Sequence, residues 1–309
     1  MGSSVSRWTP DLLPGFERVS IAPITLVRPL TQPDSPRLAV LHVHGYNDYF
    51  FQDHLARAFT DAGHAFYAVD LAGAGRSLRT GDIPHYMADA AEQGDGIAVA
   101  VAALAAMHPG LPIVIHGHST GGLTAAIWAA DRPHPALAGL ILDSPLFGTR
   151  LTRLDRARMT LLPLFAAIRP LAVVASAPSV YAQHQHVSGG GRWEFDFALK
   201  RPTGVPIRAA WLAAVRRARA RVSHGLGVRV PVLVAMSDSC GPDVPRNPLL
   251  DRQDTVLNVD DIVRLAPRIG DDVEQLVIPG GVHELSLSQE APREQYLRSI
   301  MRWLDSVIP

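Results

Sequence analysis

The pentapeptide at residues 117–121, GHSTG, places Ser119 between two glycines at the spacing that suits an exposed nucleophile. Such a serine projects from a sharp strand-to-helix turn, and flanking glycines leave room for its strained backbone. Residues 112–116 form an apolar run that predicts a buried parallel strand, and residues 123–130 predict a helix. This context favours a serine nucleophile over an ordinary turn.

A serine hydroxyl is a weak nucleophile at neutral pH, so a histidine must take its proton and a carboxylate must orient that histidine. The chain has 13 histidines, and His283 differs from the others in its position. It follows the apolar run 275–278 through the flexible sequence PGGV and precedes the last predicted helix. The chain order nucleophile, acid, histidine puts the base at this place.

Three aspartates are candidates for the orienting carboxylate. Asp238 directly follows the predicted strand 232–236, Asp254 lies further along the same connection, and Asp143 follows the preceding strand. We favour Asp254, with Asp238 as the alternative acid and Asp143 as the third candidate. For the two that are not the acid, a helix cap or a loop hydrogen bond is the ordinary explanation.

An anionic tetrahedral intermediate needs two backbone N–H donors. The residue after the nucleophile, Thr120, is expected to supply the first. Tyr46 is expected to supply the second, because the run 41–46 ends a predicted buried strand with a histidine-glycine pair. Gly45 lets the chain turn there and brings the next amide close to the serine.

Two histidine pairs alternate along predicted strands: His42 with His44, and His116 with His118. Alternate positions on a strand can form half of a metal site, but no carboxylate partner is placed near either pair in the sequence. We therefore expect no metal. His118, next to the nucleophile, is expected to line the substrate pocket.

Strands and helices must alternate to position these residues. Short β-rich runs alternate with helical patterns at both ends of the chain, which predicts a parallel sheet. Between residues 147 and 227 we find no clear strand, only proline breaks and predicted helices at 155–165 and 207–222. We therefore predict an α/β core over 1–147 and 226–309, with a helical cap over 148–225 inserted after the sixth strand.

Composition restricts the remaining possibilities. The chain has 309 residues, 47% of them hydrophobic, and a formal net charge of zero, so no global field favours nucleic acid. Cys240 is the only cysteine, which excludes an internal disulfide. Residues 1–8 lack a signal-peptide pattern, and the apolar runs are too short or too interrupted to span a bilayer. We expect a cytoplasmic protein without an integral membrane segment; the oligomeric state stays open.

Four motifs together resemble the α/β-hydrolase superfamily, within it the monoacylglycerol lipase and lysophospholipase-like branch, also described as serine aminopeptidase-like. They are HGYNDYF at 44–50, DLAGAGRS at 70–77, the pentapeptide, and GGVHEL at 280–285. The second lacks the third glycine of a dinucleotide-binding loop. The resemblance covers nearly the whole chain. One departure is the long link 237–252 that precedes the presumed acid, since many relatives carry the acid directly after that strand.

The resemblance implies a mostly parallel eight-stranded sheet with helices on both faces. It also implies a triad of Ser119, Asp254 and His283, no cofactor, and hydrolysis of a carboxylic ester through an acyl-enzyme. The expected substrates are esters with medium or long acyl chains, such as monoacylglycerols or lysophospholipids. A peptidase, an amidase or a carbon–carbon bond hydrolase would use the same triad. An aminopeptidase would need a carboxylate for the substrate's ammonium, and Glu194 and Asp196 are the candidates. A non-catalytic binding protein and acyl transfer to another acceptor stay open.

The cap is expected to determine the substrate. Apolar side chains at 159–168, among them Phe165, are predicted to form an acyl-binding wall, and Trp193, Phe195, Phe197 and Trp211 to add aromatic surface. Packing within the cap itself is the alternative explanation. The arginines at 208, 216, 217, 219 and 221 are candidates for attracting a phosphate-bearing lipid, although a solvated helix face also explains them.

Overall fold

The computed structural model of the protein describes residues 7–148, 159–175 and 179–308. Its strands in chain order are β1 (Thr9–Pro10), β2 (Phe16–Ile21), β3 (Ile24–Pro29), β4 (Ala39–Val43), β5 (Ala65–Asp70), β6 (Ile113–His118), β7 (Leu137–Asp143), β8 (Val173–Ala175), β9 (Ile207–Arg208), β10 (Val232–Ser237) and β11 (Val273–Ile278). Its helices are α1 (Asp53–Asp61), α2 (Ala90–Met107), α3 (Thr120–Asp131), α4 (Leu162–Ile168), α5 (Val180–Gln185), α6 (Ala209–His224), α7 (Val259–Leu265) and α8 (Glu290–Val307).

Nine of the described strands form one sheet in the order β1-β2-β3-β5-β4-β6-β7-β10-β11. The six strands from β5 to β11 pair in parallel, whereas β1, β2 and β3 add an antiparallel edge. The predicted fold class, a mostly parallel α/β sheet, is confirmed. The expected eight strands become nine because the two-residue β1 pairs with β2. Without β1, the chain leaves the core after the sixth strand, β7, as predicted.

Helices cover both faces of the sheet because side chains along each strand alternate between two apolar clusters. In β4, Leu41 and Val43 join the cluster covered by α2, α3, α6 and α7, and Val40 joins the cluster covered by α1 and α8. The central strands are buried on both faces, and therefore their sequences are mostly apolar, with His42, His116 and His118 as buried exceptions.

The segment between β7 and β10, described for residues 159–175 and 179–224, is called the cap segment below. It contains α4, α5 and α6, and β8 pairs antiparallel with β9 in a small second sheet where we expected no strand. Part of the predicted helix 155–165 lies outside the described residues. The inner face of α6 joins the core cluster through Val215, Ala218 and Val222. The division into a core and a separate cap stays a prediction.

Helix α2 is the one helix of the described ranges that is long and apolar enough, by length and composition alone, to cross a membrane. It packs against α3 and the sheet, with Ile97, Ala100, Val101 and Leu104 in the core cluster. A core helix of this length passes the same test, because its apolar side faces protein. The expectations of no membrane span and of a cytoplasmic location stay predictions.

A buried ion network holds the turn that follows β5. The Arg76 guanidinium donates to Asp11 and Asp70, at 2.6 Å and 2.9 Å, and all three side chains are inaccessible to solvent. Gly75 has a φ of +47°, and a Cβ at this position would collide with the Asp70 carboxylate. The glycine in this motif is therefore required by the close approach of Asp70.

Candidate active site

Ser119 lies at the turn between β6 and α3 with φ 51° and ψ −114°, a region that non-glycine residues rarely adopt. The glycines around it are required sterically: a Cβ on Gly117 would lie 2.8 Å from the Gly122 Cα. A Cβ on Gly121 would collide with the His44 carbonyl. The predicted strand-turn-helix is present, and its strain is held by close backbone packing on both sides.

A continuous hydrogen-bond chain joins Ser119, His283 and Asp254. The Ser119 Oγ lies 3.0 Å from the His283 Nε2, and the His283 Nδ1 lies 2.8 Å from the Asp254 Oδ2. The other carboxylate oxygen accepts the amides of Val256 and Leu257 at 2.7 Å and 2.8 Å. Because a carboxylate only accepts, the Nδ1 must carry the proton, which leaves the Nε2 free to accept from the serine.

Asp254 reaches this position because the long link after β10 doubles back. The Asp254 amide donates to the Ser239 carbonyl at 3.0 Å, and the Gly241 amide donates to the Asp254 carbonyl at 2.9 Å. The chain therefore returns to the carboxyl end of β10 after its detour. This bridge explains how an aspartate far along the link occupies the same edge of the sheet as Ser119.

The other two candidate acids are directed elsewhere. Asp238 is exposed, and its carboxylate accepts the Gly280 amide at 3.0 Å, which closes the turn after β11. Asp143 is fully buried and accepts the Leu285 amide at 3.1 Å. Burial, together with the nearby Glu284, raises the pKa of Asp143 well above its usual value. The two carboxylates therefore hold the loop that carries His283 through backbone amides that precede and follow the histidine.

Tyr46 and Thr120, the expected oxyanion donors, line one cavity together with Ser119. A Cβ on Gly45 would lie 3.2 Å from the Ser119 Cβ, so the loop after β4 passes directly beside the nucleophile. The His44 Nδ1 lies 2.7 Å from the Gly45 carbonyl, and its Nε2 accepts the Leu71 amide at 3.1 Å. Because a trans peptide directs its C=O and N–H oppositely, this bond turns the Tyr46 N–H away from His44.

The cavity at Ser119 has a volume of about 350 Å³, within the usual range of small-molecule sites. His118 lines it as predicted, and Trp211 forms part of an apolar wall with Leu146, Val205, Ile207 and Val256. Phe165 does not line it: its side chain on α4 is 45% exposed. Trp193 lines a neighbouring, smaller cavity instead, and its Nε1 donates to the Leu287 carbonyl.

Comparison with known proteins identifies the family. The serine aminopeptidase, S33 family of hydrolases (Hydrolase_4) matches residues 34–290. The chain belongs to this family. It is 32% identical to the monoacylglycerol lipase of Mycolicibacterium smegmatis over 124 residues, which span 40% of this chain and 43% of that lipase. The match therefore spans less than half the length of this curated relative.

Solved structures agree with the fold of this α/β-hydrolase. The monoacylglycerol lipase of Paleococcus ferrophilus has a TM-score of 0.67 at 19% identity, over 89% of this chain and 97% of that chain. A soluble variant of the Saccharomyces cerevisiae monoglyceride lipase, in complex with a substrate analogue, has a TM-score of 0.69 at 16% identity, over 99% and 96%. At such identities the likeness shows the fold and no more.

The charged residues named as candidates for alternative substrates do not line the cavity of this hydrolase. Glu194 and Asp196 are exposed, and neither lines the cavity. Two of the α6 arginines form surface ion pairs with core aspartates, Arg217 with Asp89 and Arg221 with Asp131. Arg208, Arg216 and Arg219 donate to backbone carbonyls instead. A solvated helix face therefore explains Arg217 and Arg221, and none of the five needs a phosphate site.

Sequence reasoning missed a buried ion cluster in the cavity wall. Lys200 lies 3.0 Å from the Asp48 Oδ1 and 3.5 Å from the Glu284 Oε2, and all three residues are buried. Burial alone would lower the pKa of Lys200, but the two carboxylates outweigh it and raise that pKa. Burial raises the pKa of Glu284 to about 7, although Lys200 opposes this shift. A sequence signal existed: Lys200 is the only lysine of the chain.

The histidine pairs have partners other than metal ions. The His42 Nδ1 lies 2.9 Å from the His116 Nδ1 across neighbouring strands, and the His116 Nε2 lies 2.7 Å from the Tyr296 hydroxyl. Burial lowers the pKa of His116 to about 4, so the groups that these hydrogen bonds join are neutral. Donor atoms of Asp48, His118 and Glu284 lie within 4.8 Å of one another, but the Lys200 ammonium already pairs with both carboxylates.

Proposed function

We propose that this protein is a serine hydrolase that cleaves carboxylic esters through an acyl-enzyme on Ser119. The observation that carries the proposal is the unbroken hydrogen-bond chain from Ser119 through His283 to Asp254 at the wall of a cavity of about 350 Å³. Nucleophile, base and orienting carboxylate at these separations are the arrangement that acyl transfer requires. Family membership supports the same class of chemistry.

In the acylation step, the Ser119 Oγ attacks the ester carbonyl carbon while the His283 Nε2 takes the hydroxyl proton. The carbonyl electron pair moves to oxygen, and the N–H groups of Tyr46 and Thr120 donate to that oxyanion. Asp254 stabilises the imidazolium through the proton on Nδ1. Collapse breaks the bond to the alcohol oxygen, which takes the proton from His283 and leaves as the alcohol.

In the deacylation step, water takes the place of the alcohol. His283 accepts a proton from that water as it attacks the acyl-serine carbonyl, and a second tetrahedral oxyanion forms at the same two amides. Its collapse returns the proton to the Ser119 Oγ and releases the carboxylic acid. The step consumes one water, and the free enzyme is restored.

The two walls of the cavity favour an ester with an apolar acyl chain and a small polar alcohol. Leu146, Val205, Ile207, Trp211 and Val256 supply the apolar side, and the cluster of Asp48, Lys200 and Glu284 supplies the polar side. Monoacylglycerols and lysophospholipids have this division. Two similar structures belong to proteins named as monoacylglycerol or monoglyceride lipases, which supports the first of these classes.

The test is labelling by a fluorophosphonate, followed by intact mass measurement. Ser119 should displace fluoride and gain one phosphonyl group, and Ser119→Ala should gain none. Ser223→Ala, at an exposed serine of α6, serves as the matched control and should label like wild type. p-Nitrophenyl esters of graded chain length then size the apolar wall. Wild-type protein that neither labels nor hydrolyses any ester would contradict the proposal and favour a binding protein.

A peptidase or amidase is the second candidate, because the family is described as serine aminopeptidase. An aminopeptidase holds the substrate's ammonium with a carboxylate, but Asp48 and Glu284 in the cavity already pair with Lys200. The ester reading is favoured for this reason. Turnover of aminoacyl p-nitroanilides faster than of p-nitrophenyl butyrate would reverse the order.

A further inference from the structure

Lys200 has an unusual place in this chain. The chain has 29 lysines and arginines in all, and 28 of them are arginines. The single lysine is buried in the cavity wall. A buried ammonium is costly unless it is paired and hydrogen-bonded. A compact ammonium on a flexible stem can lie between two carboxylates where a planar guanidinium fork requires more room. The compact ammonium therefore fits this position with the least rearrangement, and its positive charge is what the two carboxylates require.

The two partners of Lys200 belong to the two loops that carry the reacting groups. Asp48 lies two positions after Tyr46, the proposed oxyanion donor, and Glu284 directly follows His283. The separations are 3.0 Å and 3.5 Å. One ammonium from the cap segment therefore links the loop after β4 to the loop after β11.

Further contacts connect the cap segment to the same two loops. The Asn47 side chain pairs with the Arg201 backbone, donating to its carbonyl at 2.8 Å and accepting its amide at 3.0 Å. The Glu284 amide donates to the Tyr181 hydroxyl at 3.0 Å. Consecutive residues of the loop after β4 thus contact consecutive residues of the cap segment. The ion pairs of Lys200 are the part of this contact that spans both loops.

Removal of the ammonium would leave two buried carboxylates facing each other. Like charges in a site of low dielectric repel, so the side chains of Asp48 and Glu284 would move apart or take up a proton. Separation of the side chains would shift the backbone beside Tyr46 or beside His283, and protonation would still leave the two loops without the ion pairs that join them. A displacement of about 1 Å between reacting groups costs on the order of a hundredfold in rate.

We propose that Lys200 is a positioning residue through which the cap segment fixes the oxyanion loop and the catalytic histidine loop relative to each other. The proposal rests on the serine hydrolase function proposed above and adds a component to it. In this arrangement the cap segment does more than cover the substrate: it sets the distance between the Tyr46 amide and the His283 imidazole.

The first test compares Lys200→Met with Lys200→Arg on p-nitrophenyl butyrate, a neutral substrate. Methionine keeps the length of the side chain without its charge, and kcat should fall about 30- to 100-fold while KM changes less than about threefold. Arginine should recover a large part of kcat, because it keeps the charge. Arg192→Met, at an exposed arginine of the cap segment, is the matched control and should stay within about twofold of wild type.

The second test is a double-mutant cycle between Lys200→Met and Glu284→Gln. If Lys200 acts through Glu284, the two effects on kcat share one cause, and Lys200→Met should cost less than about threefold in the Glu284→Gln background. A side chain that only fills space would give additive losses. Should Lys200→Met fail to fold by circular dichroism, Asp48→Asn and Glu284→Gln remove the ion pairs singly from the core side, and each should lower kcat more than KM.

The outcomes separate this proposal from the function on which it rests. An active wild type whose folded Lys200→Met variant keeps kcat within about threefold overturns the positioning role alone. A loss confined to KM, or an additive cycle, overturns it as well. A wild type that neither labels with fluorophosphonate nor cleaves esters overturns the hydrolase function, and the positioning role with it.

Discussion

The candidate site has two halves that meet at His283 and Glu284 and are built differently. The core half consists of Ser119, His283 and Asp254, all on loops at the carboxyl edge of the sheet. The cap-facing half joins Asp48 and Glu284 of the core to Lys200 of the cap segment. Each half contains a buried carboxylate, but only the cap-facing half includes a residue of the cap segment.

The two buried carboxylates beside the histidine have different partners. Asp254 accepts two backbone amides, from Val256 and Leu257, so its orientation follows from the path of the chain. Glu284 instead contacts side chains, with the Gln52 Nε2 donating at 2.5 Å and the Lys200 Nζ lying 3.5 Å away. A backbone amide that donates to a carboxylate loses no side-chain entropy, whereas a long donor side chain loses rotamer freedom when it is ordered. The core half is therefore the more rigid half.

The largest expected effect is in the core half, at Asp254. Asp254→Asn should lower kcat/KM by about 10³- to 10⁴-fold, because the amide cannot hold the histidine in the tautomer that accepts the serine proton. Asp238→Asn, on the same connection, is the matched control and should change it by less than about threefold. The measurement is ester hydrolysis by protein whose fold is checked by circular dichroism. A large loss at Asp238 with a small one at Asp254 would reverse the assignment.

The same difference between the two halves explains which parts of the molecule could be predicted from the sequence. Strand and helix order follows from apolar periodicity, and the chain order of the motifs predicts Ser119 and His283 at the carboxyl ends of two strands of one sheet, where the structure brings them together. Asp254 required knowledge that the long link returns to Ser239, a backbone pairing that no local pattern encodes. The catalytic roles of these three residues stay proposals.

The cap-facing half was not predictable for a physical reason. Few residues of the cap segment belong to a sheet, so strand pairing does not fix its position. Its sequence alone therefore does not determine which of its apolar faces points into the cavity. The sequence favours Phe165 and Trp193 as pocket residues and offers Trp211 only as added aromatic surface, yet of these three only Trp211 lines the cavity at Ser119. Lys200 lies in an irregular stretch with no periodicity, and its two partners are distant in sequence. The small β8–β9 sheet was not predicted, because strands of only 3 and 2 residues show no recognisable alternation in the sequence.

A second, smaller effect should separate the halves by pH. Because the pKa of Glu284 is about 7, its carboxylate gains a proton as the pH falls through that value, and the ion pair with Lys200 is lost. The titratable groups that face it are Lys200, Asp48, His118, His283, Asp143, Tyr181 and Tyr296. Glu284→Gln should lower kcat by about tenfold at pH 8 and remove this contribution to the acid limb. A variant whose acid limb matches wild type in steepness and midpoint would contradict the expectation.

Stability should show the opposite sign to activity at the same residue. Since burial raises the pKa of Glu284 from 4.5 to about 7, the folded state holds its proton more tightly than the unfolded chain does. Its favourable contribution is complete below the unfolded value and is lost as the pH rises through about 7. The urea midpoint of wild type relative to Glu284→Gln should therefore fall across this window. The cap-facing half thus costs stability in the pH range where it supports activity.

The smallest expected effect concerns the cap segment alone, where two aromatic residues separate lining from exposure. Trp211 is 5% exposed, lines the cavity and packs on Tyr46 with ring centroids 4.3 Å apart, whereas Phe165 is 45% exposed. Trp211→Leu should raise KM for p-nitrophenyl octanoate about fivefold relative to the acetate, since about 1 kcal/mol of apolar contact is lost. Phe165→Leu should leave that ratio within about twofold. Because the ratio cancels any change that reaches the oxyanion loop through Tyr46, it measures contact with the acyl chain. An equal effect at Phe165 would mean that the acyl chain extends beyond the cavity onto α4, and the cap-facing half would then be larger than the contacts of Lys200 define.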